Sequence, residues 1–144
     1  MSIEDDVTRG LAELLHEKGI ATWRPDTPYT ASDVPITIGA LPSTPDRAIA
    51  LAVYGTEDDP LLADTVVMVQ ATIRGTSDMR EADERAGRVF DLLHGRTGFT
   101  LGGVPIIAAR RASWARLGLD AGGRWRRSEN YYLQAHHPTP HRTF

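Results

Sequence analysis

The stretch TVVMVQATIRGTSDMREADERAGRVFDLL, residues 65–93, decides the fold, because a long β pattern in it runs directly into a well-marked helix. Apolar and mostly β-branched residues fill positions 66–73, with polar breaks only at Gln70 and Thr72. A run of this kind predicts a strand that is covered on both faces at its start and half-exposed toward its end. We therefore expect the central strand of a sheet here.

The second half of the same stretch predicts a helix that packs on this sheet. Asp78 and Glu81 have the spacing of a capping box, in which two side chains close the first helical turn. Gly95 stands where a left-handed helix stop is favoured. Between them, apolar residues recur at intervals of three and four, at Met79, Ala82, Ala86, Val89, Phe90 and Leu93. No catalytic residue pattern appears in the stretch, so its predicted role is structural.

The amino-terminal segment predicts one more helix. Ser2 followed by Asp5 is typical of a helix cap, and an apolar stripe at helical spacing then continues until Gly19 ends it. Short strands are expected at residues 20–23 and 36–38, on either side of a proline-rich surface loop.

A second clear strand is expected at residues 48–54, where bulky apolar residues alternate with alanine. The acidic turn at residues 55–60 is short, which predicts that this strand pairs antiparallel with the strand at residues 66–74. Leu61 and Leu62 are expected to pack the turn back onto the core.

Two hairpins are expected after the second helix. Residues 97–101 and 104–109 flank a Gly-Gly turn, and residues 114–119 and 125–136 flank the Gly122–Gly123 turn. The pattern between residues 112 and 120 is weak. Together these elements predict the α+β class, with a mixed, mostly antiparallel sheet packed by two helices.

The predicted domain organisation is a single α+β domain over residues 1–137, followed by a flexible C-terminal tail over residues 138–144. The tail contains Pro138 and Pro140. Segments of this composition are extended and mobile unless a partner holds them.

Composition excludes several classes of protein. The chain has 144 residues and no cysteine, so disulfides and thiolate metal sites are absent and a reducing compartment fits. It has no apolar run of about 18 residues and no signal-peptide pattern, so we expect no membrane partner and an intracellular site of synthesis.

Charge is distributed unevenly along the chain, although the formal net charge is only −3. Residues 1–64 carry twelve acidic and four basic side chains, whereas residues 65–144 carry seven acidic and twelve basic ones. Opposite charges on two surfaces favour head-to-tail association between copies. The alternative is that both halves fold into one sheet and the charges mix in space.

Candidate catalytic and metal-binding residues are few. His136, His137 and His141 form a histidine cluster near the terminus, which would suit a divalent metal, but no carboxylate lies beside them in sequence. No nucleophile elbow, phosphate-binding loop, metalloprotease motif or dinucleotide fingerprint is present. We therefore assign no catalytic residue, cofactor or metal, and keep an enzyme with a histidine metal site as a minor alternative.

The carboxy-terminal half interleaves basic and aromatic residues. Nucleic-acid surfaces pair arginine with phosphates and stack bases on rings, so this half suggests a nucleic-acid-binding accessory protein. The competing interpretation is a solvated strand face on which arginine side chains pack against rings. The residues concerned are Arg110, Arg111, Arg116, Arg124, Arg126 and Arg127, with Trp114, Trp125, Tyr131 and Tyr132.

The order of motifs resembles the tail terminator or minor capsid proteins of long-tailed bacteriophages. The resemblance spans nearly the whole chain, from the helix closed by Gly19 through the proline-rich loop and the paired strands to the terminal strand. Its most local matches are Asp91-Leu92-Leu93-His94-Gly95, Arg111 with Leu117-Gly118-Leu119-Asp120, and Arg127-Ser128-Glu129-Asn130-Tyr131.

This resemblance implies a tail-terminator-like fold and a structural virion protein without enzymatic activity or cofactors. Such a subunit assembles in the host cytoplasm as a ring, with six copies expected. The ring caps the tail tube protein and carries the head–tail connector proteins, and DNA passes through its lumen.

We expect the acidic turn, Glu57, Asp58 and Asp59, near the lumen or on the tube-facing side, because a DNA conduit should not hold DNA tightly. Subunit or connector contacts are expected at Arg110, Arg111, Arg116 and Arg126.

Overall fold

The computed structural model describes residues 2–144, which form two helices and a six-stranded sheet. In chain order the elements are α1 (Ile3–Glu17), β1 (Ile36–Ile38), β2 (Ala48–Asp58), β3 (Asp64–Arg74), α2 (Met79–Leu93), β4 (Thr97–Leu101), β5 (Val104–Leu119) and β6 (Trp125–His136). The strand order is β1-β2-β3-β6-β5-β4. Only β1 and β2 run parallel. The predicted α+β class and the mixed, mostly antiparallel sheet are therefore confirmed.

Strand β3 lies between β2 and β6 and is paired with both along its whole length, which confirms its predicted central position. Its side chains alternate between buried and half-exposed. The buried set faces α1 and α2, whose apolar stripes supply Leu11, Leu15, Val89 and Leu93 to one continuous core. The opposite set forms a sheet face that neither helix covers, although the loop before β2 lies over its end at Arg74, and we call it the open face.

The helix ends follow the sequence in part. The Ser2 hydroxyl accepts a hydrogen bond from the Asp5 amide at 3.1 Å, as predicted. Asp78 caps α2 by accepting from the Arg80 amide at 3.1 Å. The predicted reciprocal bond from Glu81 does not form, because the Glu81 carboxylate instead pairs with the Arg47 guanidinium.

Four local predictions are wrong. The acidic turn predicted at residues 55–60 begins later, because β2 continues through Asp58. Residues 20–23 form no strand: only an isolated bridge joins Thr22 to Pro35, and Ile20 and Ala21 pack into the core beside α1. Leu61 and Leu62 do not pack onto the core, since they are 76% and 53% exposed. Residues 104–119 are one strand rather than two.

The two outer strands cover their neighbours incompletely. β1 pairs with β2 only at Ile49–Leu51, and β4 pairs with β5 only at Val104–Ala108. The later parts of β2 and β5 therefore have a neighbouring strand on one side alone. Within the part of the chain described, no helix is long and apolar enough to cross a membrane.

Candidate assembly surfaces

The β5–β6 hairpin divides the predicted contact arginines between two faces of the sheet. Successive strand residues point to opposite faces, so Arg110 lies opposite Tyr132 on the open face and Arg111 lies opposite Tyr131 on the helix side. Arg116 shares the helix side, whereas Arg126 lies on the open face. The four arginines therefore form two groups rather than one patch.

The helix-side group is built around the fully buried carboxylate of Glu129. Its Oε1 accepts a hydrogen bond from Arg111 Nη1 at 3.1 Å, and its Oε2 accepts one from Arg127 Nε at 2.9 Å. A buried carboxylate is tolerated when charged donors satisfy both oxygens. Glu129 therefore fixes the two arginines that flank it.

A second carboxylate, Asp83 from α2, ties the same strands to the helix. Its Oδ1 accepts from Arg127 Nη1 at 3.0 Å, and its Oδ2 accepts from Arg116 Nη2 at 2.7 Å. The hydrogen bond from Arg116, helped by that from Arg127, holds the pKa of Asp83 below its usual range. Because α2 crosses β5 and β6 here, these bonds hold the hairpin against the helix.

The indole ring of Trp114 completes this helix-side cluster. The Arg127 guanidinium lies 3.8 Å from the ring centroid, and those of Arg116 and Arg111 lie 5.4 and 5.9 Å away. Arginines held by carboxylates and stacked on a ring are not free to bind phosphates. The arrangement agrees with the packing interpretation of the Arg/aromatic segment and weakens the nucleic-acid interpretation.

The sequence alone indicates no role for Glu129 or Asp83. The alternation Arg127, Ser128, Glu129 places the first and third side chains on one strand face, and this spacing is the signal that could have revealed their pairing. Asp83 had no such signal, since only the tertiary packing of α2 brings it to Arg127.

The open face has a different character. Arg110 lies over the Tyr132 ring at 4.8 Å, and neither Arg110 nor Arg126 has a carboxylate partner within residues 2–144. Partial desolvation of the half-exposed Tyr54, together with the nearby Tyr132 hydroxyl, raises the pKa of Tyr54. A shallow groove of about 210 Å³ runs beside these rings, lined by Glu57, Val66, Ala108, Ala109, Arg110, Tyr132 and Gln134.

The acidic turn, Glu57, Asp58 and Asp59, spans the end of β2 and the first residue after it, and its three carboxylates differ in their bonding. Asp58 accepts from the Thr56 and Thr65 hydroxyls at 2.8 and 3.0 Å. Asp59 Oδ1 accepts from the amides of Leu62 and Leu61, which lowers the pKa of Asp59. Glu57 is exposed and makes no hydrogen bond or ion pair within residues 2–144. Two acids thus shape the turn, and one is left for other contacts.

Comparison with known families and structures identifies the relationship. The profile of the family described as "Bacteriophage tail terminator protein" matches residues 14–136. The chain belongs to this bacteriophage tail terminator family. The match covers every strand of the sheet, so the family's characteristic sequence extends over the hairpin and the acidic turn.

Seven chains of solved structures also match this tail terminator family member. One is described as "Virion of native gene transfer agent (GTA) particle"; it is 15% identical, with a TM-score of 0.58, over 69% of this chain and 77% of that one. This likeness shows that the fold is shared. No curated protein sequence matches.

The carboxy-terminal tail of this tail terminator family member lies on the acidic turn. The Arg142 guanidinium donates to the Asp59 carbonyl at 3.1 Å, to the Thr65 hydroxyl at 3.0 Å and to the His137 carbonyl at 2.8 Å. The flexibility of residues 138–144 stays a prediction. His136 pairs with Asp64 at 3.3 Å, and no group of three potential ligands is positioned for a metal within residues 2–144.

Proposed function

We propose that this protein is a structural tail subunit that assembles into a ring of identical copies, six in number, and ends growth of the tail tube. The ring binds the tail tube protein on one side and head–tail connector proteins on the other, and DNA passes through it without specific contacts. It belongs to the virion tail and assembles in the host cytoplasm. The observation that carries this proposal is the family match over residues 14–136.

The open face supports an assembling role rather than a catalytic one. Both helices pack on the other side of the sheet, so half-exposed apolar side chains such as Val66 and Met68 remain without a cover in the single subunit. Exposed apolar surface of this kind marks interaction sites. Polar neutral residues separate them, including Gln70 and Asn130, which hydrogen-bond to each other at 3.2 Å. A face of this composition suits contact with another protein.

The charged residues take different parts in this proposal. Glu57, Asp58 and Asp59 face the lumen or the tube, where negative charge keeps DNA from binding tightly. Arg110 and Arg126 contact a neighbouring subunit or the connector, because no carboxylate within residues 2–144 pairs with them. Arg116 supports these contacts by joining β5 to Asp83 of α2, and Arg111 by joining β5 to Glu129 of β6.

Two measurements test the proposal. Light scattering coupled to size-exclusion chromatography at rising concentration should give the mass of a ring, alone or after tube protein is added. Electron microscopy should then show that tubes assembled with the subunit stop growing at one end. A chain that stays monomeric and never binds tube protein would refute the assignment.

A DNA-retention assay at low salt distinguishes the proposed tail subunit from the alternative, a nucleic-acid-binding accessory protein. We expect no retention of duplex DNA, because the helix-side arginines are already paired. Micromolar or tighter binding that falls steeply with salt would favour the alternative instead.

A further inference from the structure

We propose that the ring closes through strand pairing: the free edge of β5 in one subunit adds to the free edge of β2 in the next. This inference rests on the proposed ring and names the surface that joins its subunits. The partner is a second copy of this chain.

Both edges are open over similar lengths. Beyond the segment paired with β4, residues 112–119 of β5 have no backbone partner on their outer side within residues 2–144. Beyond the segment paired with β1, residues 52–58 of β2 are equally unpaired on theirs. An unpaired strand edge is a template for adding another strand. Proteins protect such edges with proline or free charges, yet residues 112–119 contain no proline, and their single charge, Arg116, is held by Asp83.

The strand directions are compatible. Following the antiparallel ladders from β2 through β3 and β6 to β5, β2 and β5 of one subunit run in opposite directions. Subunits of a cyclic ring share one orientation along its axis. The β5 edge of one copy therefore meets the next copy's β2 edge as an antiparallel pair.

One register matches the faces of the two edges residue by residue. Placing Ser113 opposite Glu57 puts two open-face residues together, and Trp114 then meets Thr56 on the helix side. Continuing along the strands, Gly118 meets Ala52, again both on the open face. A slip of one residue would turn every side chain to the wrong face. The β5 bulge between Arg116 and Gly118 then lies opposite the β2 bulge between Val53 and Gly55.

This register also gives a geometry that a closed wall requires. Residues paired side by side across the strands of one subunit form a row. Ser113 shares a row with Asn130, Gln70 and Ala52, whereas Glu57 shares another row with Val66. Pairing Ser113 with Glu57 therefore shifts each copy along the strand direction by four rows, about 14 Å, relative to its neighbour. The four strands from β2 to β5 span about 19 Å across the sheet. The strands then tilt by roughly 36°, within the range of about 35–45° found where sheets close on themselves.

The side chains beside the edges are complementary. Arg110 precedes the paired segment and meets the acidic turn of the next copy, where Glu57 makes no bond within its own subunit. At the other end, exposed Leu117 and Leu119 reach a groove of about 320 Å³ beside the free edge of β2. The start of α1 lines one side of this groove, and Ile38, Ala52 and Val53 line the other.

Disulfide crosslinking tests the pairing directly, because the chain contains no cysteine. We expect the full-length double variant with Ser113→Cys and Glu57→Cys to lose its monomer band on non-reducing gels and to form a ladder of covalent multimers. In one subunit these positions lie three strands and four rows apart, roughly 20 Å, so they cannot form a bond within the chain. The matched control combines Glu57→Cys with Thr100→Cys, which is exposed on β4.

The mass of each variant, measured before oxidation, separates this inference from the proposed ring. Rings that crosslink at the first pair and not at the control pair support the strand pairing. Rings that fail to crosslink at the first pair, or that crosslink only through Thr100→Cys, overturn the pairing and leave the ring standing. Monomers throughout would overturn both.

Discussion

Arg110 and Arg111 are neighbours in sequence but have opposite surroundings. Arg111 donates to the buried carboxylate of Glu129 and lies over the Phe90 ring, 4.3 Å from its centroid. Arg110 is exposed on the open face, where its guanidinium lies 4.8 Å from the centroid of the Tyr132 ring. The difference comes from strand alternation, because α2 covers one face of the sheet and neither helix covers the other. One arginine therefore serves the fold, and the other is one of those that we propose for contact with a partner.

Removing Glu129 should produce the largest effect. Glu129→Ala removes the carboxylate that pairs with Arg111, inside a poorly hydrated cluster. It also leaves Asp83 as the remaining carboxylate partner of Arg127. We expect the free energy of unfolding to fall by about 3 kcal/mol, the usual scale for breaking a buried ion pair. Urea denaturation of the monomer, followed by tryptophan fluorescence, measures this loss.

The open-face control for this experiment is Arg110→Gln. It removes a charge of the same kind from the neighbouring position, where no carboxylate depends on it, so unfolding should change by less than about 0.5 kcal/mol. Equal losses in the two variants would contradict the division between the faces.

The sequence predicted the elements whose patterns are regular. The alternation in β3 and the helical stripe of α2 place their buried residues correctly, since each depends on one local period. The sequence pattern predicts two strands in place of β5, because three register shifts, near Ile107, Ala112 and Leu117, interrupt its alternation. A β-bulge turns one extra residue out of phase, so a single long strand resembles two short ones.

The two arginine groups could not be separated from the sequence for a related reason. Composition shows that arginines and rings are close, but the face of each depends on those same bulges. The carboxylates that hold Arg111 and Arg127 come from β6 and from α2, the latter distant in sequence. Only tertiary structure shows which arginines are already paired.

Acid pH should weaken the helix-side cluster through Asp83. The Arg116 and Arg127 guanidiniums lower the pKa of Asp83 in the folded protein. Its ion pairs therefore stabilise the fold above the ordinary aspartate pKa and are lost as the pH falls through the lowered value. Asp83→Asn should cost about 1 kcal/mol at neutral pH, since the carboxylate is partly exposed. Below about pH 4 the difference from the unaltered protein should shrink. Urea titrations at several pH values measure it, and a constant difference down to pH 2 would exclude the mechanism.

The smallest effect per subunit is expected on the open face, and it should appear in assembly rather than in stability. If Arg110 meets the acidic turn of the next copy, Arg110→Glu and Glu57→Arg should each weaken the ring, by about 0.5–1 kcal/mol per contact, as for an ion pair at an interface rim. The double reversal should restore assembly, because it exchanges the two charges and keeps the attraction.

Arg80→Glu provides a control of equal charge change at an exposed position on α2. Sedimentation at low and high salt distinguishes the outcomes: each single defect should diminish near 1 M salt, where the screening length falls to about 3 Å. A double variant as defective as the sum of the single ones would show that Arg110 and Glu57 do not meet. In that case Arg110 would be assigned to contact with the connector, and it would not lie beside the acidic turn of the next copy as the strand-pairing register requires.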